Sequence, residues 1–312
     1  MIPIWKDTNY VINGEENSTF EYSIRMYDGV IQENGTPIEN WVYVFNGKAW
    51  AKPITNEISI NINDICKDYL KSELPDIRHT LITQKYTQED SVKRFRLYNN
   101  NGVVVAEYQF ILDWSYESIN YNNRPTNLSR PINGRAKEGM MGLYTRLNEQ
   151  DKVETIISPS IGGLNDELRT QAYTLVENAC NAKYALYYLN RYGGWDCFLI
   201  EGNVTKKDTY NRFYIDTPYN NTTIEFGKKV YHNEIVASYE LHTSWLNDAQ
   251  SSNLAFNLLS SNMVYIHNLE ENTIEPVVIV DADATYKTFK NQGNKLCNYT
   301  INVECSQKQH NN

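Results

Sequence analysis

The sequence predicts a mainly β protein: two β-sandwich-like domains, a few short helices and a long irregular connecting arm. Three observations lead there. Short runs alternating apolar and polar residues recur in both halves, the pattern of strands with one solvated face. Turn signals rich in Asn, Asp and Gly separate these runs. The order is strands, helix, strands, with no strand–helix–strand repeat, so a nucleotide-binding α/β fold is not expected. At 312 residues the chain exceeds what one core usually holds. The expected division is an N-terminal β-sandwich-like domain over 1–114, a linker or extended arm over 115–148, and a C-terminal β-rich domain over 149–312.

Taken in order, "FEYSIRMY" (20–27) alternates and meets Asp28-Gly29. "WVYVF" and "KAWAK" flank Asn46-Gly47, among the strongest short hairpin signals. "ISINI" (58–62) alternates, and Asn63 is placed to cap a short helix over "DICKDYLKS". "VKRFRLY" (92–98) and "VVVAEYQFILDW" (103–114) read as a second hairpin around Asn99–Gly102. Residues 115–141 then lose all periodicity, with several Pro, Gly and Asn. Arg124, Arg130, Arg135 and Lys137 make this stretch either a basic arm lying on an acidic neighbour or on DNA, or a solvated linker.

In the second half, "YALYYLN" and "WDCFLIEG" flank Arg191–Gly194 as a hairpin. "NRFYI" (211–215), "TTIEFGKKVYH" (222–232) and "IVASYELHTSW" (235–245) are expected strands. Asn247 with Gln250 forms a capping-box start for one helix at about 248–261. "MVYIHN", "IEPVVIV" and "LCNYTINVEC" complete a final meander; Cys297, Tyr299, Ile301, Val303 and Cys305 share its buried face.

Composition narrows the function classes. With 29 basic against 38 acidic residues the net charge is -9, which disfavours sequence-independent nucleic-acid binding. Five widely spaced cysteines without a C-x-x-C pair form no disulfide framework and suit a reducing compartment. The start "MIPIWKDTNY" lacks the regions of an export signal, and no apolar run approaches a membrane span. The expectation is a protein made in a cytoplasm and retained there or released by lysis.

The catalytic inventory is thin. His79, His232, His242, His267 and His310 are scattered, and no nucleophile, phosphate-loop or dinucleotide motif occurs. Asp281 and Asp283, at i and i+2 on a strand, share a face and have the spacing for a metal or an acid–base pair, but lack a third ligand nearby. Asp196 reads as a turn-stabilising acceptor. We therefore expect no enzyme and no cofactor.

The aromatics concentrate in 184–203: Tyr184, Tyr187, Tyr188, Tyr192, Trp195 and Phe198. A sugar-binding platform shows one ring face to solvent. Here both faces of "YALYYLN" are apolar, which favours a core or a subunit interface. "LYYLNRYGGWDCFLI", the helix after "SWLND" and the Tyr-Lys-Thr before the last strand resemble virion proteins of Bacteroidetes phages, the crAss-like group included, over about 170–308. The resemblance implies a non-catalytic tail or neck component, a tail-barrel ring or hub. Its partners would be further copies of itself in a ring, other tail proteins, and genomic DNA passing through the lumen. A carbohydrate-binding β-sandwich protein for host adhesion is the alternative.

Overall fold

The computed structural model describes residues 2–4, 7–31, 37–71, 74, 82–111, 128, 135–137, 140–149, 152–164, 174–175, 182–216, 227–288, 295–306 and 309–311. The fold is mainly β. The first strands are β1 (Ile2–Pro3), β2 (Asn9–Asn13), β3 (Thr19–Ile31), β4 (Pro37–Trp50), β5 (Glu57–Asn61), β6 (Gln84–Gln88), β7 (Val92–Asn99) and β8 (Val104–Ile111). Five of them form a sheet in the order β1-β8-β7-β3-β4, and β2 pairs with β5. The inner face of the five-stranded sheet presents Ile24, Phe95, Leu97 and Phe110, all fully buried.

Two turn signals are overridden here. β3 and β4 are single long strands that pair from Thr19↔Trp50 to Ile31↔Pro37, so Asp28-Gly29 and Asn46-Gly47 lie inside the ladder. A two-residue hairpin of the Asn-Gly type needs left-handed backbone at both positions. Neither Asn46 nor Gly47 has a positive φ. Gly47 serves instead as a place of close approach: a Cβ there would sit 2.6 Å from the Phe45 ring and 2.7 Å from Tyr22 Cζ. The β7–β8 hairpin forms as expected. Asn99 Oδ1 accepts from the N–H groups of Asn101 and Val103, and Gly102 takes φ 74°.

The short helix α1 (Ile62–Cys66) starts two residues earlier than expected. Its N-cap is Asn61, which accepts from the Asp64 N–H. Asn63 is buried and accepts from the Thr8 N–H at 3.1 Å, tying the helix to the segment before β2.

The expected boundary at 114 does not divide the strand pairing. β9 (Arg135–Ala136), β10 (Gly142–Leu147) and β11 (Val153–Ser158) follow, and a three-stranded sheet runs β10-β11-β6. β6 thus joins residues beyond the arm. Gly142–Leu147, expected as linker, is a strand because its first four residues are covered on both faces, a pattern without alternation to read.

The remaining strands are β12 (Thr174–Leu175), β13 (Tyr184–Leu189), β14 (Trp195–Ile200), β15 (Val204–Asp216), β16 (Lys228–His242), β17 (Val264–Asn268), β18 (Thr273–Thr288), β19 (Lys295–Cys305) and β20 (Gln309–Asn311). β12 pairs with β9 in parallel, and the rest form an antiparallel sheet β14-β13-β17-β18-β19-β16-β15, with β20 on β16. The runs 222–232 and 235–245, read as two strands, belong over 228–242 to the single strand β16. Helix α2 (Asp248–Asn253) has the expected capping box between Asn247 and Gln250, then continues as a π-helical turn, Leu254–Leu258. Leu254 and Leu258 are fully buried against the sheet.

The β13–β14 hairpin is the wall between two hydrophobic cores. Ala185, Tyr187, Leu189, Trp195, Cys197 and Leu199 face the first, which also holds Ile24, Phe95, Phe110, Leu143 and Ile157. Leu186, Tyr188, Phe198 and Ile200 face the second, with Tyr239, Leu241, Leu254, Leu258, Ile301 and Val303. Successive side chains of a strand point to opposite sides, so a strand covered on both faces serves two cores. Among the described residues no helix is long and apolar enough to cross a membrane.

Candidate assembly interface

Of the six aromatic candidates, Tyr187, Tyr188, Trp195 and Phe198 are interior, at no more than 1 % exposure. Tyr184 is half-buried, its ring 5.7 Å from that of Tyr239. Tyr192, also half-buried, lies at the turn, with the Arg191 guanidinium 5.0 Å from its ring centroid. The stretch is therefore packing rather than an exposed platform.

Its turn is organised by Asn190, which sequence reasoning passed over. The Asn190 amide is buried and uses all of its hydrogen-bonding capacity: Oδ1 accepts from the N–H groups of Tyr192 (2.9 Å) and Gly194 (3.0 Å), while Nδ2 donates to Asp196 Oδ2 and to the Leu128 carbonyl, each at 2.7 Å. Gly193 takes φ 82°, and Gly194 lies against the Leu128 backbone. Asp196 is thus the acceptor the sequence suggested, inside the fold. The signal was the spacing Asn190-x-x-Gly-Gly, an Asx-type turn.

The arm candidates separate. Arg124 and Arg130 lie outside the described residues, as does the side chain of Arg135. Lys137 is half-buried and donates from Nζ to the Ala182 carbonyl at 2.7 Å. Leu128, Ala136, Met140 and Met141 are buried. At these points the arm is packed into the body rather than solvated, because its few apolar residues reach the first core and the pocket under the hairpin turn.

Asp281 and Asp283 share an outward face of β18, as expected. A bulge at Val280 keeps Ile279 and Ala282 on the core side and turns both carboxylates to solvent. Asp281 accepts from Asn302 Nδ2 at 2.6 Å. His242 joins the Thr300 hydroxyl (3.0 Å) and Glu240 (3.1 Å) on the sheet surface, where Lys207 holds the Glu240 carboxyl below its usual range. Among the described residues no group of three or more His, Cys, Asp or Glu is placed to hold a metal.

Among the described residues a cluster of exposed apolar side chains lies on the β15–β16 ribbon. β16 pairs with β19 only over Ser238–His242, and with β20 only over Asn233–Ile235. Among the described residues the ribbon has no further strand partner from there to Asp216↔Lys228. Twelve of the thirteen residues of β15 are exposed. Tyr210 (57 %), Phe213 (43 %), Tyr214 (51 %), Ile215 (47 %), Val230 (43 %) and Tyr231 (59 %) all project into solvent. A bulge at Tyr231 adds twist, and the Phe213 ring lies 6.4 Å from that of Tyr231. Among the described residues β15 is also a long sheet edge, and an edge presents a row of backbone groups that natural proteins normally cover. No protein-family model and no curated protein matches this sequence.

Proposed function

We propose that the protein is a structural subunit of a phage tail. It assembles into a homo-oligomeric ring, a tail-barrel ring or hub around the DNA channel, and touches other tail proteins above and below. The observation that carries this reading is the β15–β16 ribbon. An isolated two-stranded ribbon is marginal in water, and this one displays aromatic and branched side chains on an open edge. Packing against a neighbouring copy would cover both the side chains and the edge. The resemblance of residues 170–308 to phage virion proteins supports the same setting, in which the protein is assembled in the host cytoplasm and ends in the virion. The body behind the ribbon suits that use, since a hairpin shared by two cores makes a stiff support.

The test is the oligomeric state of Phe213→Glu/Tyr231→Glu. Both side chains are exposed, so the substitutions should alter stability by no more than about 0.5 kcal/mol. Sedimentation should show a closed oligomer for the wild type and a folded monomer for the variant. Identical sedimentation of the two would remove the ribbon from the interface.

A further inference from the structure

The outer face of the five-stranded sheet carries a second kind of surface. Three arginines on β3 and β7 interleave with four aromatic rings. Arg96 lies 4.0 Å from the Trp41 ring centroid, and Arg94 lies 5.2 Å from that of Tyr27. Both are engaged by one carboxylate: Arg94 Nη2 and Arg96 Nε donate to Glu107 at 2.5 and 2.7 Å, which holds that carboxyl below its usual range. Arg25 differs. Its guanidinium lies between Tyr43 and Tyr98, 4.2 and 4.3 Å from their ring centroids, with Nη2 donating to the Tyr43 hydroxyl at 2.6 Å. Among the described residues no carboxylate pairs with it, and its Nε has no acceptor.

Arg25 lines an open groove of 740 Å³ between the β3–β4 ladder and the Asn99–Gly102 turn. The Tyr43 ring, 61 % exposed, stands at its side. Ser23, Asn46, Asn99 and Asn100 supply hydroxyl and amide groups along it. Asn99 spends its Oδ1 on the turn, which leaves its amide N–H groups for the groove. At the far end Lys48 and Glu21 pair with each other at 3.2 Å. In a chain of net charge -9, this groove therefore carries an unneutralised cation, beside an open aromatic face and several amides.

We propose that this groove binds a carboxylate-bearing sugar of the uronic-acid type. A guanidinium fixed between two rings presents a pre-oriented, charge-assisted donor to a carboxylate. An exposed tyrosine face stacks on the C–H face of a pyranose, and Asn amides and a serine hydroxyl pair with its hydroxyls. Bases of a single strand would also stack on such a ring. Among the described residues the groove has one cation without a carboxylate partner rather than a track of them, which fits one carboxylate better than a run of phosphates. The site uses none of the residues of the β15–β16 ribbon, so its test is separate from that of ring assembly.

The experiment titrates the full-length protein with a glucuronate-containing tetrasaccharide, a neutral glucose tetrasaccharide and a short single-stranded oligonucleotide, followed by calorimetry. The wild type should prefer the acidic sugar by about tenfold or more, the scale of one charge-assisted contact. Arg25→Gln should abolish that preference, and Tyr43→Ala should weaken both sugars. Neither change should alter the sedimentation of the assembled protein, so failure here is distinguishable from failure of the ring. Equal affinity for the two sugars in the wild type, no binding of either, or preference for the oligonucleotide would overturn the proposal.

Discussion

Replacing Trp195 by Ala probes the shared hairpin most sharply. The indole is fully buried in the first core, with its ring 5.9 Å from that of Tyr265. A buried Trp removes roughly 200 Å² from water. At about 25 cal/mol per Å² that is about 5 kcal/mol. Residual compactness of the unfolded chain and partial collapse of the cavity bring the expected loss to roughly 3–5 kcal/mol. For a chain of 312 residues the melting temperature should fall by about 5–8 °C. The form of the transition matters as much as its position. Tyr188, on the opposite face of the same hairpin, belongs to the second core. If the hairpin couples the cores, Trp195→Ala and Tyr188→Ala should each shift one cooperative transition, seen identically by calorimetry and by denaturant unfolding. Two resolved transitions, with each variant moving only one, would refute the shared wall. An unchanged melting curve for Trp195→Ala would refute its burial.

Further expectations follow from single contacts. Asn190→Ala should cost roughly 2–4 kcal/mol, because the Leu128 carbonyl and the turn N–H groups would lose buried partners; denaturant midpoints measure it. Gly194→Ala should destabilise by about 1–3 kcal/mol, since its Cβ would sit 2.6 Å from the Leu128 carbonyl oxygen, and a thermal shift reads this directly. Burial depresses the affinity of His267 for a proton, with its Nε2 held to Asn272 Oδ1 at 2.9 Å. Its stabilising effect is therefore complete above the ordinary histidine range and is lost as pH falls from about 6.5 toward the depressed folded value, at no more than about 1.4 kcal/mol per pH unit. His267→Gln should flatten that part of the stability–pH curve. Burial, with Glu275 beside it, pushes the Cys305 thiol up to about 12, so native protein at pH 8 should resist iodoacetamide at Cys305 until unfolded, by peptide mass mapping.

What the sequence made legible was local. The 184–200 hairpin, the capping box at Asn247 and the Asn99 turn each rest on neighbouring residues whose chemistry decides the conformation. The two-sided apolar pattern of 184–189 correctly implied cover on both faces. Asn46-Gly47 misled because the signal is equally a strand position over which an aromatic ring passes, and the partner Tyr22 is far away in sequence. The pairing of β6 with β11 was hidden for a similar reason. Strand partners 65 or more positions apart leave no local trace, and the short strand β10 shows no alternation. The Arg25 groove drew on three segments, each unremarkable alone: β3, β4 and the 99–102 turn. Of the aromatic candidates, burial was readable while exposure was not. The open surface lies instead on β15 and β16, where polar residues are interspersed with rings on both faces.

These surfaces give the proposed subunit two separable parts: a stiff body built on one hairpin, and a ribbon that needs a neighbour. Electron microscopy of the purified full-length protein at micromolar concentration tests the central claim most directly. The account expects closed rings of uniform diameter, with density joining neighbours at the β15–β16 ribbon. A population of single particles of about 36.3 kDa at every concentration, with the ribbon free, would contradict it.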